Sequence, residues 1–218
     1  MRPRKKKHSE ERLEAVNNYF IIRDENGLID LNRSFINDKP LHVEIGCGKG
    51  GFTVSTAIKN PEINLLAVER IRDVIMIAME RASKAEVSNL KFLNYDVAGL
   101  HEILPEHCVD VLYINFCDPW PKKRNAKRRL TFHTFLENYK KFLKPDGEIH
   151  FKTDNRDLFD FSLEEFPLAG YKVKDLTFDL HNSEYNENNI MTEYEKNFSE
   201  KGFKINRLVA YLPEKEEK

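Results

Sequence analysis

Short apolar segments alternate with amphipathic segments from residue 41 onward, and short polar connections separate them. Apolar, β-branched runs of this kind are typical of buried parallel strands. The alternation therefore predicts a parallel, doubly wound α/β sheet. The predicted strands cover residues 41–45, 63–68, 90–94, 109–115 and 148–152, and a closing pair covers residues 171–176 and 203–211.

Two helices are predicted from apolar stripes at helical spacing. Over residues 72–86 the stripe consists of Val74, Ile75, Ala78, Met79 and Ala82. Over residues 127–144 it consists of Phe132, Phe135, Leu136, Tyr139 and Leu143. Pro145-Asp146-Gly147 is expected to end the second helix and to turn the chain into the next strand.

The first 40 residues differ from the rest because they are polar and irregular. A short helix is predicted around residues 10–19, and Asn26-Gly27 predicts a turn. We expect residues 1–40 to form a basic N-terminal arm that packs late or closes over a ligand. Residues 41–213 are predicted to form the main α/β domain, and residues 214–218 a charged tail.

The composition suits one α/β domain, because 40% of the 218 residues are hydrophobic and 15 of them are phenylalanine. A formal net charge of −1 means that nucleic-acid binding requires local basic clusters, which occur at residues 2–7 and 122–129. The amino terminus does not resemble a signal peptide, and no apolar run is long enough to span a membrane. We therefore expect a cytoplasmic protein.

The three cysteines show no metal-like spacing with one another or with the seven histidines. We therefore expect no metal site. An odd number of cysteines without a disulfide framework fits a reducing compartment. The sequence is compatible with a monomer or a homodimer.

Residues 115–130, with the sequence NFCDPWPKKRNAKRRL, concentrate the candidate chemistry. They follow a predicted strand, and ligands in open α/β sheets bind beyond the carboxyl ends of strands. Proline after Asp118 favours extended geometry, and two prolines stiffen the loop around Trp120, whose ring can stack on an unstacked base. Six cations in residues 122–129 suit phosphates. The alternative is a proline-rich turn followed by a solvated basic helix.

A glycine-rich turn follows the first predicted strand, in the sequence LHVEIGCGKGGF. Gly46, Gly48 and Gly51 match the G-x-G-x-x-G spacing of dinucleotide-binding folds, and Glu69 ends the next strand. Glu44 disfavours a dinucleotide, because a carboxylate just before the turn would repel a pyrophosphate. S-adenosylmethionine carries a sulfonium and an ammonium group and no phosphate, so it suits this position better.

Two more acids are expected at the same edge of the sheet. Glu69 would accept hydrogen bonds from both ribose hydroxyls, and Asp96, at the end of the third predicted strand, would meet the adenine amine. For each acid alone, a solvated residue at a strand end is an equally good interpretation. Acids at the ends of three successive strands favour the cofactor site.

With these motifs together, the sequence resembles the bacterial tRNA (guanine-N7-)-methyltransferases, the TrmB-type family. The resemblance covers roughly residues 41–211 and rests on VEIGCGKGGF, NFCDPWPKKRNAKRRL, HFKTDN and NIMTEYE. It implies the class I S-adenosylmethionine-dependent methyltransferase fold, a Rossmann-like, seven-stranded, mostly parallel sheet whose last strand is antiparallel. It also implies methyl transfer from S-adenosylmethionine to N7 of a guanosine in the variable loop of tRNA.

The resemblance also implies roles for individual residues. The cofactor site would contain Glu44, Gly46, Gly48, Glu69, Asp96 and Asp118, and Asp118 would also be catalytic. Substrate binding would involve Lys122, Asp154, Thr192, Glu193, Tyr194 and Glu195. The RNA-contacting residues would be Arg124, Lys127, Arg128 and Arg129.

Some of these positions have a structural alternative. Thr192 and Glu195 have the spacing of a capping box, and Asp154 would cap a helix over residues 155–166. Guanine N7 already presents a lone pair, so we expect Asp118 to orient the guanine and not to act as a general base. His181 is expected to be a packing or surface group.

Three other classes of protein stay open. The D-P-W-P motif loosely resembles the D/N-P-P-aromatic loop of exocyclic-amine methyltransferases, although Trp120 replaces the second proline. A noncatalytic RNA-binding module would have no need for Glu44, Glu69 and Asp96 together. A nicotinamide-dependent dehydrogenase is the remaining alternative, and binding of NADH would support it.

Overall fold

The computed structural model describes residues 9–213. The strands are β1 (Leu41–Ile45), β2 (Asn64–Val68), β3 (Leu90–Leu93), β4 (Val109–Asn115), β5 (Leu143–Thr153), β6 (Lys172–Thr177) and β7 (Asn206–Tyr211). The α-helices are α1 (Ser9–Glu14), α2 (Leu31–Ser34), α3 (Gly51–Lys59), α4 (Arg72–Lys84), α5 (His133–Phe142), α6 (Arg156–Leu168) and α7 (Glu193–Ser199). Short 3-10 helices are Asn17–Tyr19, Val97–Glu102, Lys123–Arg128, Leu180–Asn182 and Glu184–Asn186. The basic cluster at residues 2–7 and the charged tail at 214–218 lie outside the described residues.

The seven strands form one mixed sheet in the order β3-β2-β1-β4-β5-β7-β6. Strand β2 is parallel to β1 and to β3, β4 is parallel to β5, and β7 is antiparallel to β5 and β6. The predicted seven-stranded, mostly parallel sheet with an antiparallel last strand is thus confirmed. The strand bounds lie within three residues of the predicted ones, except that β5 begins at Leu143.

The chain divides into two compact units, and the boundary lies between Ile103 and Leu104. The first unit contains β1, β2 and β3, whose side chains are buried on both faces, as expected for parallel strands covered on each side. Helix α4 adds the buried side chains Ile75, Met76, Ala78, Met79 and Ala82. Met76 is therefore buried although the predicted stripe did not include it, and Val74, which the predicted stripe did include, is only half-buried.

Much of the predicted N-terminal arm packs onto this first unit. Arg12 forms two hydrogen bonds of 2.7 Å with Glu80 on α4, and the Tyr19 hydroxyl donates to the carbonyl oxygen of Ala82 at 3.2 Å. The buried apolar side chains before residue 40 are Val16, Tyr19, Ile21, Ile29 and Phe35. They belong to the core of the unit.

The second unit contains β4 to β7 together with α5, α6 and α7, and its core combines aliphatic side chains with several large aromatic ones. The almost fully buried rings are Tyr139, Phe142, Phe151, Phe159, Phe166 and Tyr171. The buried hydroxyls of two of them have partners, since Tyr139 donates to the carbonyl oxygen of Leu130 and Tyr171 to that of Leu136. Burial therefore leaves neither phenol unpaired.

The predicted helix over residues 127–144 is wrong in its first third. Four of the six cations lie on the 3-10 helix Lys123–Arg128, Lys122 and Arg129 flank it, and α5 begins only at His133. Arg129 and Phe132 have extended backbones between the two helices. The buried guanidinium of Arg129 fixes this break through contacts distant in sequence, so tertiary structure overrides local helix propensity here.

The segment Pro145-Asp146-Gly147 does not end α5, which stops at Phe142, but forms a bulge within β5. Val109 pairs with Leu143, whereas Val111 pairs with Glu148. A Cβ at Gly147 would lie 3.0 Å from two backbone oxygens, those of Lys144 and Val109. A side chain at position 147 would crowd both of these backbone segments, so glycine is favoured here.

We expect Gly50→Ala to destabilise the protein by about 2–4 kcal/mol. Gly50 has φ of 74°, and an added Cβ would lie 2.7 Å from the Cβ of Ala78 on α4. Gly46 has a similar φ of 75° but nothing within 4 Å of an added Cβ, so Gly46→Ala should cost only about 1 kcal/mol. Urea denaturation compares the two variants, and equal losses would show that the contact with Ala78 is unimportant.

Candidate active site

The glycine loop follows β1 in the first unit, and two of its glycines have free space where a side chain would be. Gly46 and Gly48 have φ of 75° and 56°, and a Cβ added at either would meet nothing within 4 Å. Glycine is needed there for the left-handed backbone and not for packing. The loop therefore exposes its backbone at the carboxyl end of β1, where a ligand can approach closely.

Glu44 lies beneath this loop and is only 2% exposed. Thr53 on α3 donates a hydrogen bond from its hydroxyl to Oε2 of Glu44. Burial raises the pKa of the Cys47 thiol well above its usual range, and the charges of Glu44 and Glu69 raise it further. The Glu44 and Glu69 carboxylates thus both affect the Cys47 thiol in the loop. Because Glu44 is buried, the alternative interpretation of a solvated residue at a strand end does not apply to it.

Glu69 and Asp96 follow β2 and β3, as predicted, and each holds a local backbone turn. Glu69 accepts from the backbone N–H of Ile71 at 2.8 Å and from that of Gly48 at 3.3 Å, so it ties the glycine loop to the start of α4. Asp96 accepts from the N–H of Ala98 at 3.0 Å. Its side chain is 58% exposed and so accessible to a ligand.

Asp118 lies in the loop after β4 in the second unit and is exposed. The loop contains two residues other than glycine with positive φ, Phe116 at 51° and Trp120 at 42°. Arg129 holds the loop, because its guanidinium donates to the carbonyl oxygens of Pro119 and Trp120 at 3.0 and 3.2 Å. These hydrogen bonds and the two prolines restrict the backbone of the loop that carries Asp118.

Most of the predicted RNA-contacting cations are exposed. Arg124, Lys127 and Arg128 are open to solvent, and the Arg128 guanidinium lies 4.9 Å from the centre of the Trp120 ring. Lys122, which was predicted to bind the substrate, is also exposed. Arg129 differs, because it is 9% exposed and its guanidinium packs 4.2 Å from the centre of the Phe161 ring. We assign Arg129 to the support of the loop.

Asp154 follows β5, the parallel neighbour of β4. The hydroxyl of Tyr194 lies 3.4 Å from Oδ2 of Asp154, so Asp154 meets the first turn of α7. Partial burial and the negative charge of Asp154 raise the pKa of Tyr194. The predicted capping role of Asp154 is wrong, since Asn155 caps α6 by accepting from the N–H of Leu158 at 2.8 Å.

The predicted capping box at the start of α7 is confirmed. The Thr192 hydroxyl accepts from the N–H of Glu195 at 2.8 Å, and the Glu195 side chain accepts from the N–H of Thr192. Thr192 and Glu195 are buried, whereas Glu193 and Tyr194 are exposed. The two outer residues of the motif build the helix start, and the two inner ones face solvent.

Glu195 also forms a buried ion pair with Lys152 on β5. The Lys152 ammonium donates to Oε2 of Glu195 at 2.8 Å, and the two side chains are 8% and 0% exposed. Asn189 and His181 donate to Oε1 at 2.7 and 2.8 Å. Burial opposes the charged form of Glu195, but the charge of Lys152 and these hydrogen bonds outweigh it, so the pKa of Glu195 is lowered.

Comparison with known proteins identifies the family. A family model described as "Putative methyltransferase" matches residues 38–208. A tRNA (guanine-N(7)-)-methyltransferase of Lachnoclostridium phytofermentans is 49% identical over 197 residues, which cover 90% of this chain and 92% of the relative. One of the same name from Streptococcus pyogenes serotype M6 is 45% identical over 210 residues, covering 96% and 99%. The chain belongs to the tRNA (guanine-N(7)-)-methyltransferase family.

Solved structures of other methyltransferases share the fold. The 16S rRNA methyltransferase KamB aligns with a TM-score of 0.62 and 12% identity over 88% of this chain and 99% of KamB. An antibiotic-related methyltransferase aligns with a TM-score of 0.56 and 16% identity over 95% and 94% of the two chains. At such identities the similarity shows the fold alone, and it confirms the predicted class I methyltransferase architecture.

Sequence reasoning missed three residues of this methyltransferase that position the start of α7: Lys152, His181 and Asn189. Lys152 and Asn189 lie in two of the motifs that carried the resemblance, but neither was assigned a role. The role of Lys152 could have been suspected from the sequence, because it is a lysine in a predicted buried strand and a buried ammonium requires a partner. His181 was expected to be a packing or surface group, whereas it hydrogen-bonds the buried carboxylate.

A cavity of about 620 Å³ lies elsewhere in the first unit of this methyltransferase. Tyr19, Phe35, Val87 and Lys91 are among its lining residues, so it lies at the amino end of β3. The glycine loop and the acids follow the carboxyl ends of the strands. None of the predicted site residues lines this cavity.

Residues 9–213 contain no group of three or more histidine, cysteine, aspartate or glutamate side chains that could hold a metal ion. Within the same residues, no helix has the length and apolar character needed to cross a bilayer.

Removing the charge of Glu195 should strongly destabilise this methyltransferase. Glu195→Gln leaves the Lys152 ammonium buried without its counter-charge, so we expect a loss of about 3–5 kcal/mol in the free energy of unfolding. Glu200→Gln, an exposed carboxylate just after α7, is the matched control and should change stability by less than about 0.5 kcal/mol. Denaturant melts at pH 7 measure both, and equal stabilities would contradict the assignment.

The same pair predicts how stability depends on pH. The pKa of Glu195 is lower in the folded than in the unfolded protein, so its stabilisation is present above the unfolded value of about 4.3 and is lost as pH falls. The wild type should therefore lose more stability below about pH 4.3 than Glu195→Gln does. Parallel acid slopes in denaturant melts would rule out this contribution.

Proposed function

We propose that this chain transfers a methyl group from S-adenosylmethionine to N7 of a guanosine in the variable loop of tRNA, in the cytoplasm. The observation that carries the proposal is the identity, over nearly the whole chain, to relatives named for guanine-N7 methylation of tRNA. The site residues fit this chemistry, because acids follow the strand ends in both units and exposed cations follow Asp118.

Glu44, Gly46, Gly48, Glu69 and Asp96 are the residues that would hold S-adenosylmethionine. The open backbone at the two glycines allows close approach, and a carboxylate at Glu44 would favour a cationic ligand over a pyrophosphate. Glu69 and Asp96 offer acceptor oxygens for ribose hydroxyls and an adenine amine. The bound cofactor would supply an electrophilic methyl group on its sulfonium.

Asp118 and Asp154 are the residues that would recognise guanine. They follow neighbouring parallel strands, and carboxylates accept hydrogen bonds from guanine N1–H and the N2 amine. Adenine lacks both of these donors, so the pair selects guanine. Positive charge moves onto the base as N7 is methylated, so contacts to the carboxylates strengthen in the transition state.

The reaction needs no general base, because N7 of neutral guanine already presents a lone pair. The protein would act mainly by aligning N7 with the transferred methyl group, and alignment contributes up to about 7–11 kcal/mol in favourable cases. Asp118 orients the base from a loop that Arg129 holds in place. Tyr194 meets Asp154 from the first turn of α7.

Arg124, Lys127 and Arg128 are the residues that would contact the tRNA backbone, and Lys122 would bind the substrate beside them. They are exposed on and beside a 3-10 helix a few residues after Asp118, so phosphates near the target guanosine are their natural partners. Thr192 and Glu195 would serve the substrate site indirectly, by fixing the start of α7. Glu193 and Tyr194 are the exposed residues of that motif.

Nucleoside analysis tests the reaction directly. Bulk tRNA lacking the modification is incubated with the protein and methyl-labelled S-adenosylmethionine, digested and separated into nucleosides. We expect the label in 7-methylguanosine. Label on an adenine or cytosine amine would instead support an exocyclic-amine methyltransferase, and absence of label despite tRNA binding would support a noncatalytic RNA-binding module.

Asp118→Asn tests the proposed role of the carboxylate. A hydrogen bond to a charged group is worth roughly 1.5–3 kcal/mol, so kcat should fall about 10- to 100-fold while tRNA affinity stays the same. Asp146→Asn, at an exposed carboxylate in the β5 bulge, is the control and should behave as wild type. Wild-type turnover of Asp118→Asn with unchanged tRNA binding would remove Asp118 from the mechanism.

A further inference from the structure

Four aromatic rings form a continuous row on the second unit, here named the aromatic ladder: Phe116, Tyr194, Phe198 and Phe203. Successive ring centres are 5.1, 4.1 and 5.3 Å apart. Tyr194 is 43% exposed and Phe203 is 51% exposed. The ladder is therefore a surface feature and not part of the buried aromatic core.

The end of α7 explains only part of this arrangement. The N–H of Phe203 donates to the carbonyl oxygen of Phe198, and the N–H of Gly202 to that of Ser199, the pattern of a Schellman motif. An apolar contact between Phe203 and Phe198 accompanies this motif in many proteins. The motif accounts for that contact, but any apolar side chain would serve it, and the exposed half of Phe203 stays unexplained.

The ladder is continuous with the carboxylates assigned to guanine. Phe116 stands two residues before Asp118, and the hydroxyl of Tyr194 reaches Asp154. The buried ion pair between Lys152 and Glu195 fixes the first turn of α7, so Tyr194 has a defined position. A base extruded toward these carboxylates would thus have aromatic rings beside it.

The charges on α7 and just after it are mixed. Glu193, Lys196, Glu200 and Lys201 are all exposed, so this surface has no net attraction for phosphates. Lys201 lies 5.2 Å from the centre of the Phe198 ring. Affinity for RNA at this surface would therefore come from the rings, since bases stack on aromatic side chains whatever their sequence.

We propose that the aromatic ladder stacks unpaired bases of the tRNA that flank the target guanosine. The proposal rests on the proposed function, because it takes Asp118 and Asp154 as the guanine site. The carboxylates reach guanine N1–H and the N2 amine only when the base is unpaired and extruded, and its neighbours then lose a stacking partner. The ladder replaces that partner and so stabilises the opened loop.

Phe203→Leu separates stacking from helix-end packing, because leucine keeps an apolar contact with Phe198 and lacks an aromatic face. We expect the Kd for unmodified tRNA and the KM for methylation to rise about 5- to 30-fold, with kcat within twofold of wild type. The slope of affinity against salt concentration should not change, since no cation is removed. Phe203→Tyr should keep wild-type affinity.

Phe178→Leu is the matched control, because Phe178 is a 38% exposed ring of the same unit that contacts Phe159 and not the ladder. It should bind tRNA as wild type does. Wild-type Kd and KM in Phe203→Leu, or a changed sedimentation mass with unchanged tRNA affinity, would overturn the proposal. Formation of 7-methylguanosine by the wild type distinguishes that result from failure of the proposed function, which would leave no product at all.

Discussion

A buried ammonium group and a buried carboxylate hold helix α7 in the second unit. Lys152 lies near the end of β5, Glu195 lies in the first turn of α7, and their charged atoms are 2.8 Å apart. Separating them would leave each charge buried without its counter-charge, which is strongly unfavourable. Helix α7 is therefore held against β5, and Tyr194 meets Asp154 as a result.

The buried and exposed charges of the site have different tasks. Glu44, Glu195 and Arg129 are buried, and their partners are hydroxyl, amide, ammonium and carbonyl groups of the protein itself. Asp96 and Asp118 are exposed at strand or loop ends. The buried groups are held by the protein itself, whereas the carboxylate oxygens of Asp96 and Asp118 are open to solvent.

The sequence allowed the strands to be predicted within a few residues, because buried parallel strands are almost continuous apolar runs and show locally. The start of α5 was not predictable in this way. Arg129 has an extended backbone before the helix, and its guanidinium donates to carbonyl groups nine and ten residues earlier. The role of Lys152 was hidden for the same reason, because its partner is 43 residues away. The acids at strand ends could be located from the sequence, because their positions follow from the predicted strands alone.

The contact between Gly50 and Ala78 bears on how glycine motifs are interpreted. The G-x-G-x-x-G spacing counts Gly46, Gly48 and Gly51, yet the position where α4 leaves no room for a side chain is Gly50. That requirement comes from the spacing of two helices and would persist in a descendant that had lost its cofactor. Glycine at position 50 therefore records the architecture of the fold, and only the open positions 46 and 48 are informative about what the loop binds.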